Sequence, residues 1–339
     1  MDLKSAIARV VEGKNLEQQN MRDVMTQIMT GKATDAQIGA LLVALRMKGE
    51  TVNEITAAAG VMRELVTGVE VSGENVVDIV GTGGDGLKTF NISTTCCFVV
   101  AAAGARVAKH GNRSVSSTSG SADLLEAAGV NLNLSHKHVS ECINKINLGF
   151  MFAPLHHNAM KYAIGPRKEM AIRTIFNLLG PLTNPAGVSN QLLGVFSADW
   201  LEPLALSLKN LGSNHVMVVH SNDGLDEISI SAPTQVCELK QGEIIHYQIE
   251  PEQFGLQRAP LDDLIVNSAE QSLEMVNSVL NNQPGAARDI VLLNSGAAIY
   301  CSGLVNTLAE GIQLAESVIT KGLARAKLHE LIDLTNSFK

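Results

Sequence analysis

The fold class predicted is α/β, with a small N-terminal helical domain ahead of a larger domain built on a mainly parallel central sheet covered by helices. Three observations predict it. The first seventy residues carry helical periodicity alone. From Val76 onward, short aliphatic and β-branched runs alternate with helical patterns. Hydrophobic residues make up 45% of the chain but aromatics only 4%, so the core is aliphatic. Such a core suits close-packed helices and buried parallel strands better than an aromatic-rich sandwich.

The N-terminal helices announce their starts. Asn15-x-x-Gln18, Thr34-x-x-Gln37 and Thr51-x-x-Glu54 each put a capping side chain three residues before a reciprocating Glu or Gln. Ile38, Leu41, Leu42 and Leu45 share one helical face, as do Ile55, Ala58, Ala59, Met62 and Leu65. Gly31 and Gly68 are expected to close helices. Nothing in residues 1–70 carries chemistry, and they read as a packing domain. Residues 67–75, with Gly68, Ser72 and Gly73, form the expected hinge.

Strands follow near Val76–Val80, Arg106–Ala108, Phe150–Ala153, Leu192–Phe196 and Val216–Val219. Helices are expected from Asn91 to Ala103, then near 121–128, 138–146, 200–211, 273–280, 285–302 and 307–317. Residues 236–249, with the turn Gln241-Gly242-Glu243, break the rhythm and predict an antiparallel hairpin at the sheet's edge. One or two outer helices complete the chain after Val305. Residues 154–190 look helical, interrupted by Pro166 and ended by Gly180-Pro181, and are expected to return to the helical domain. The α/β domain is then 74–153 with 191–339.

The stretch from Val76 to Ser119 carries most of the chemistry. An aliphatic strand breaks into a loop with glycines at 81, 83, 84 and 86, and a helix opens at Asn91-Ile92-Ser93-Thr94. A second strand then delivers Lys109-His110-Gly111-Asn112-Arg113-Ser114. This is how a chain surrounds phosphate. Glycine lets backbone N–H groups approach an anion, a helix N-terminus adds its dipole, and lysine and arginine add full charge. Gly81-x-Gly83-x-x-Gly86 also matches the dinucleotide fingerprint. That motif needs its last glycine inside the helix and an acid after the next strand. Here residues 87–90 intervene, the next strand ends in Lys109, and Asp85 would repel a pyrophosphate in direct contact.

GTGGD at 81–85, NIST at 91–94 and KHGNRSVSS at 109–117 resemble the anthranilate phosphoribosyltransferase family. The likeness extends to Arg167, to RTIFNLLGPLTNP at 173–185 and to GLDE at 224–227, in the family's order. The resemblance implies transfer of a phosphoribosyl group from phosphoribosyl pyrophosphate to anthranilate, in tryptophan biosynthesis. It implies donor binding by Gly81, Gly84, Asp85, Thr89, Asn91, Ile92, Ser93 and Thr94, with backbone amides as the cradle. Lys109, His110, Gly111, Asn112, Arg113, Ser114, Val115, Ser116, Ser117 and Ser121 would take the other anionic end. Ser121 also reads as an ordinary helix cap.

The acceptor carries a carboxylate, which a forked guanidinium suits. The resemblance assigns it to Arg167, with Gly81 and Asn112 near the ring. His110 and His157 would flank it, although a lone histidine is as often structural. Asn158 follows His157 where relatives often have proline. Adjacent acids past a strand end, Asp226-Glu227, stand where α/β sheets bind ligands, although such a pair is often only a solvated turn. The resemblance makes them metal ligands together with Ser93, and implies Mg²⁺ at two ions per subunit.

A formal net charge of −8 argues against a non-specific nucleic-acid binder. No apolar run is long enough for a membrane span. Cysteines 96, 97, 142, 237 and 301 form no C-x-x-C pair, and the sequence opens on an amphipathic pattern, so a cytoplasmic protein is expected. The apolar faces of the helical domain suggest a homodimer. Two alternatives stay open: a pyrimidine nucleoside phosphorylase-like enzyme, and a non-catalytic nucleic-acid-binding relative.

Overall fold

The computed structural model describes residues 1–113 and 119–338. Four helices come first: α1 (Leu3–Val11), α2 (Gln18–Met29), α3 (Asp35–Lys48) and α4 (Val52–Leu65). Thr34 and Thr51 form the expected capping boxes with Gln37 and Glu54. Glu54 does more than cap. It is fully buried, and its carboxylate accepts from the Leu16 and Thr51 amides and from Lys48 Nζ at 2.8–2.9 Å. A buried carboxylate is tolerable only when saturated in this way.

Two expectations fail here for tertiary reasons. Asn15 caps nothing, because its Oδ1 accepts from Lys48 Nζ at 2.9 Å, and α2 starts behind Glu17 without a side-chain cap. Gly68 does not close α4, which ends at Leu65. There the chain turns extended at Val66, and the Thr67 and Val69 amides donate to the His156 and Pro185 carbonyls.

The sheet has seven strands: β1 (Val76–Gly81), β2 (Arg106–Gly111), β3 (Leu148–Phe152), β4 (Asn190–Gly194), β5 (His215–Ser221), β6 (Thr234–Lys240) and β7 (Glu243–Ile249). Their order is β3-β2-β1-β4-β5-β6-β7, parallel through β5 and antiparallel in the β6–β7 edge hairpin. From β1 the chain winds outward to β3, then returns to place β4 on β1's other side. The C-terminal ends of β1 and β4 therefore flank the topological switch point, where α/β sheets hold their ligands.

The crossovers and later helices are α5 (Ile92–Ala102), α6 (Ser121–Ala127), α7 (His136–Ile146), α8 (Ala153–His156), α9 (Lys161–Met170), α10 (Ile175–Leu179), α11 (Leu201–Asn210), α12 (Ala269–Leu280), α13 (Ala286–Cys301), α14 (Leu308–Thr320) and α15 (Leu323–Ser337). One apolar core lies between a sheet face and α5, α13, α14 and α15. A second runs from the N-terminal bundle through Ile175, Leu178, Leu179 and Leu182 to Leu193, Val216 and Val218 of the opposite face. A smaller one packs α7 against β2 and β3. Pro166 does not interrupt the helix as expected: α9 runs through it and stops at Ala171, whose φ of 51° is left-handed.

The β1–β2 ladder is short. Only Val76↔Arg106 and Val77↔Val107 are in register, and beyond them side chains take over. Buried Asp78 accepts from the His110 amide, and Asn184 Nδ2 donates to Asp78 at 2.7 Å and to the Ala108 carbonyl at 2.9 Å. Those groups fasten the third crossing segment to the edge of the switch point.

Candidate active site

β1 ends at Gly81, which pairs with Gly194 at the end of β4. Asp226 lies across both. A Cβ on Gly81 would stand 2.6 Å from Asp226 Oδ2, and one on Gly194 would overlap the Asp226 backbone. The Gly83 amide donates to Asp226 Oδ2 at 2.9 Å, so the turn after β5 is stitched to the glycine loop.

Three carboxylates meet there. Burial, and then the neighbouring Asp85 charge, push Asp226 up to about 7. Burial and then Asp226 push Glu227 up to about 8, partly offset by Lys109 and by the Ser93 amide it accepts from. Burial also raises Asp85. Crowded carboxylates of this kind are relieved by a divalent cation, and oxygen donors suit Mg²⁺. Among the described residues no three His, Cys, Asp or Glu side chains are arranged to hold a metal by themselves. Mg²⁺ commonly completes its shell with substrate phosphates and water, so the donor set fits that ion.

The start of α5 differs from expectation. Of the amides assigned to the cradle, Asn91 N–H donates to Ser272 Oγ, Ile92 N–H to the Phe90 carbonyl and Ser93 N–H to Glu227. Their donors are committed, because the helix start is tied to α12 and to the acids. Asn91 Oδ1 accepts from Ser119 Oγ and Ser272 Oγ at 3.0 and 2.7 Å. Thr94 Oγ1 is buried without a partner, and Thr89 forms an isolated bridge with Ile265.

The basic strand also differs. Lys109 does not reach outward: it is 4% exposed, and its ammonium donates to the Ile79 carbonyl beneath the acids. Arg113 pairs with Glu126 and Asp123 on α6 and lies over the Phe152 ring at 5.4 Å. Both cations are drawn off by nearer carboxylates and carbonyls. Gly111 is closely covered by Ser121 and Phe150, and Ser121 Oγ donates to the Asn112 carbonyl at 3.3 Å. Gly120, not Ser121, is the α6 N-cap. Ser114, Val115, Ser116 and Ser117 lie outside the described residues.

The return segment meets the glycine loop through Arg173. Arg167, on α9, is half-buried over the Phe176 ring at 5.2 Å, and burial lowers its pKa. His110 and His157 stand with ring centroids 5.0 Å apart. Their Nε2 atoms are buried without partners. Burial holds His157 down to about 4 and His110 well below the usual imidazole range, so both are neutral near pH 7. Arg173 was not singled out from the sequence, although it opens the RTIFNLLGPLTNP stretch. Its guanidinium lies over the Phe196 ring at 4.3 Å, with Nε 3.2 Å from where a Gly84 Cβ would stand.

The fold is shared with known proteins. Residues 73–325 match the glycosyl transferase family a/b domain, and residues 4–66 match that family's helical bundle domain. An anthranilate phosphoribosyltransferase from Methylococcus capsulatus is 58% identical, spanning 100% of this chain and 99% of its own. The crystal structure of the Thermus thermophilus enzyme of that name superposes with a TM-score of 0.93 at 41% identity, covering 98% of this chain and 99% of that one. The Saccharomyces cerevisiae enzyme in complex with PRPP and Mg gives 0.91 at 26% identity, covering 99% and 98%.

Proposed function

This chain belongs to the anthranilate phosphoribosyltransferase family and transfers the phosphoribosyl group of phosphoribosyl pyrophosphate to the amine of anthranilate, and we propose that it does so at the β1–β4 switch point. The products are N-(5-phosphoribosyl)anthranilate and pyrophosphate, in tryptophan biosynthesis. The observation that carries the placement is the convergence of Asp85, Asp226 and Glu227 on a glycine loop at the ends of β1 and β4.

In the reaction the C1–O bond to diphosphate breaks and its electron pair leaves with the diphosphate. The amine nitrogen's lone pair forms the new C1–N bond, and the amine then sheds a proton. The transition state resembles an oxocarbenium ion, so positioning and charge stabilisation do most of the work. Gly81, Gly84 and Asp85 receive the diphosphate end of the donor, while the Gly83 amide stays on Asp226, and Ser93, Asp226 and Glu227 would hold Mg²⁺. When bound, that ion neutralises the departing diphosphate. Lys109 donates to the Ile79 carbonyl rather than touching the donor, and its charge partly offsets the rise of Glu227. Asn112, Arg113, Ser117 and Ser121 take the other anionic end of the donor, its 5′-phosphate. Arg167 forks onto the anthranilate carboxylate, and neutral His110 and His157 line the aromatic wall without adding charge.

Two ions per subunit remain the expectation, and a Mg²⁺ titration with donor bound measures the number. Residues 1–70 with 154–190 form one unit in this reading, supported by the core they share, and 74–153 with 191–339 the other. Met47, Leu65, Leu155, Tyr162, Ile164 and Ile172 are exposed on the helical unit, which supports a homodimer. Light scattering tests that. Five free, buried cysteines are consistent with a cytoplasmic location. The decisive experiment follows anthranilate fluorescence with phosphoribosyl pyrophosphate, Mg²⁺ and protein. Loss of signal requiring all three is expected; a signal that persists with all three present overturns the function.

A further inference from the structure

Arg173 spans the gap between the helical bundle and the glycine loop. Its backbone belongs to the bundle, since its carbonyl accepts from Arg46 Nη1 of α3 at 2.9 Å, one residue before the N-cap of α10. Its side chain leaves the bundle and lies on Phe196, two residues past β4, at 4.3 Å. From there Nε and Nη2 come within 3.2 and 3.4 Å of where a Gly84 side chain would begin. Glycine at 84, with a φ of +79°, leaves that approach open.

The guanidinium has no hydrogen-bond partner among the described residues, although it is half-buried. That distinguishes it from Lys109, which donates into the sheet, and from Arg113, which is paired on α6. Stacking on an aromatic face fixes the plane of a guanidinium while leaving its N–H edge available. A planar fork of this kind, aimed over a glycine loop, matches two phosphate oxygens. Its charge acts on Asp85, which cannot by itself satisfy five N–H groups.

We propose that Arg173 is a further donor-binding residue, whose guanidinium forks onto the diphosphate of phosphoribosyl pyrophosphate. The inference rests on the proposed placement of the donor on the glycine loop. As the C1–O bond breaks and its electron pair passes to the diphosphate, this contact strengthens with the growing negative charge. Because the bundle carries Arg173, it also ties diphosphate occupancy to the approach of the two halves of the cleft. Departure of pyrophosphate then releases that tie.

The test compares Arg173→Gln, Arg173→Lys and Phe196→Leu with the unaltered protein. Each substrate is varied separately, and inorganic pyrophosphate serves as inhibitor. Arg173→Gln is expected to raise the KM for phosphoribosyl pyrophosphate and weaken pyrophosphate inhibition, each by about ten- to a hundredfold, with the anthranilate KM changed less than about threefold. Lysine rescues part of the loss, and Phe196→Leu gives a smaller defect of the same pattern, because it frees the guanidinium without removing it. Thermal melts confirm that each variant is folded. Unchanged pyrophosphate inhibition in folded Arg173→Gln overturns the proposal, as does a defect that falls on anthranilate. If the unaltered protein consumes no anthranilate, the functional reading fails; if it does and Arg173→Gln matches it, only this inference fails.

Discussion

Gly194, the last residue of β4, lies flush beneath Asp226, so close that a side-chain carbon on it would overlap the Asp226 carbonyl oxygen. The turn after β5 therefore rests directly on the sheet. From that seat Asp226 receives the Gly83 N–H and Glu227 receives the Ser93 N–H, joining glycine loop, helix start and acids in one unit.

Gly194→Ala tests that seat. The added methyl meets backbone rather than a flexible side-chain tip, so the turn has to lift. A stability loss of roughly 1–3 kcal/mol is expected from overpacking. Turnover falls by about ten- to a hundredfold from misplaced acids. Activity at raised Mg²⁺ should recover in part, while the anthranilate KM stays put. Kinetics across a Mg²⁺ series check this, and an unaltered Mg²⁺ requirement would detach Gly194 from the metal site.

Replacing Asp226 and Glu227 together with alanine should abolish turnover at limiting Mg²⁺. Without metal the fold should hold. The lost Gly83 bond costs about 1 kcal/mol, and relief of the repulsion with Asp85 works against that cost. Thermal unfolding with and without Mg²⁺ separates the two effects. A large loss of stability in metal-free protein would show that the acids hold the fold rather than a ligand.

Arg167→Ala should weaken anthranilate by about ten- to a hundredfold, the loss of a charge-assisted fork. Lysine should rescue only in part. Its guanidinium stacks on Phe176 and makes no hydrogen bond among the described residues, so stability should change little. Steady-state kinetics decide the matter, and a defect on phosphoribosyl pyrophosphate would move Arg167 to the phosphate side.

His157 makes acid stability testable. Its folded pKa is about 4 against 6.5 for a free imidazole, so between those values the unfolded chain binds a proton that the native protein does not. Its effect is nil above pH 6.5, and stability drains as pH falls toward 4. The cost at pH 5 is about 2 kcal/mol. His157→Asn should lose less stability than the unaltered protein between pH 7 and 5 in urea titrations. Parallel curves for the two proteins would remove the imidazole as the cause.

Local pattern was enough for the elements and their order, because each is encoded within a few residues. Aliphatic runs marked the five parallel strands, Gln241-Gly242 marked the edge hairpin, and Thr34 and Thr51 marked helix starts that depend only on side chains three residues away. The motifs also placed the glycine loop and the Asp226-Glu227 turn at a sheet's ligand end. Orientation was not encoded locally. Lys109 faces inward because the Ile79 carbonyl and the charge of Glu227 draw it there, and Asn15 leaves its cap for Lys48. Arg173 reaches the glycine loop only because the bundle returns between β3 and β4, and Gly194 is needed only because Asp226 settles on it. Those contacts join residues far apart in sequence, so their energies depend on packing that no single stretch of the chain contains.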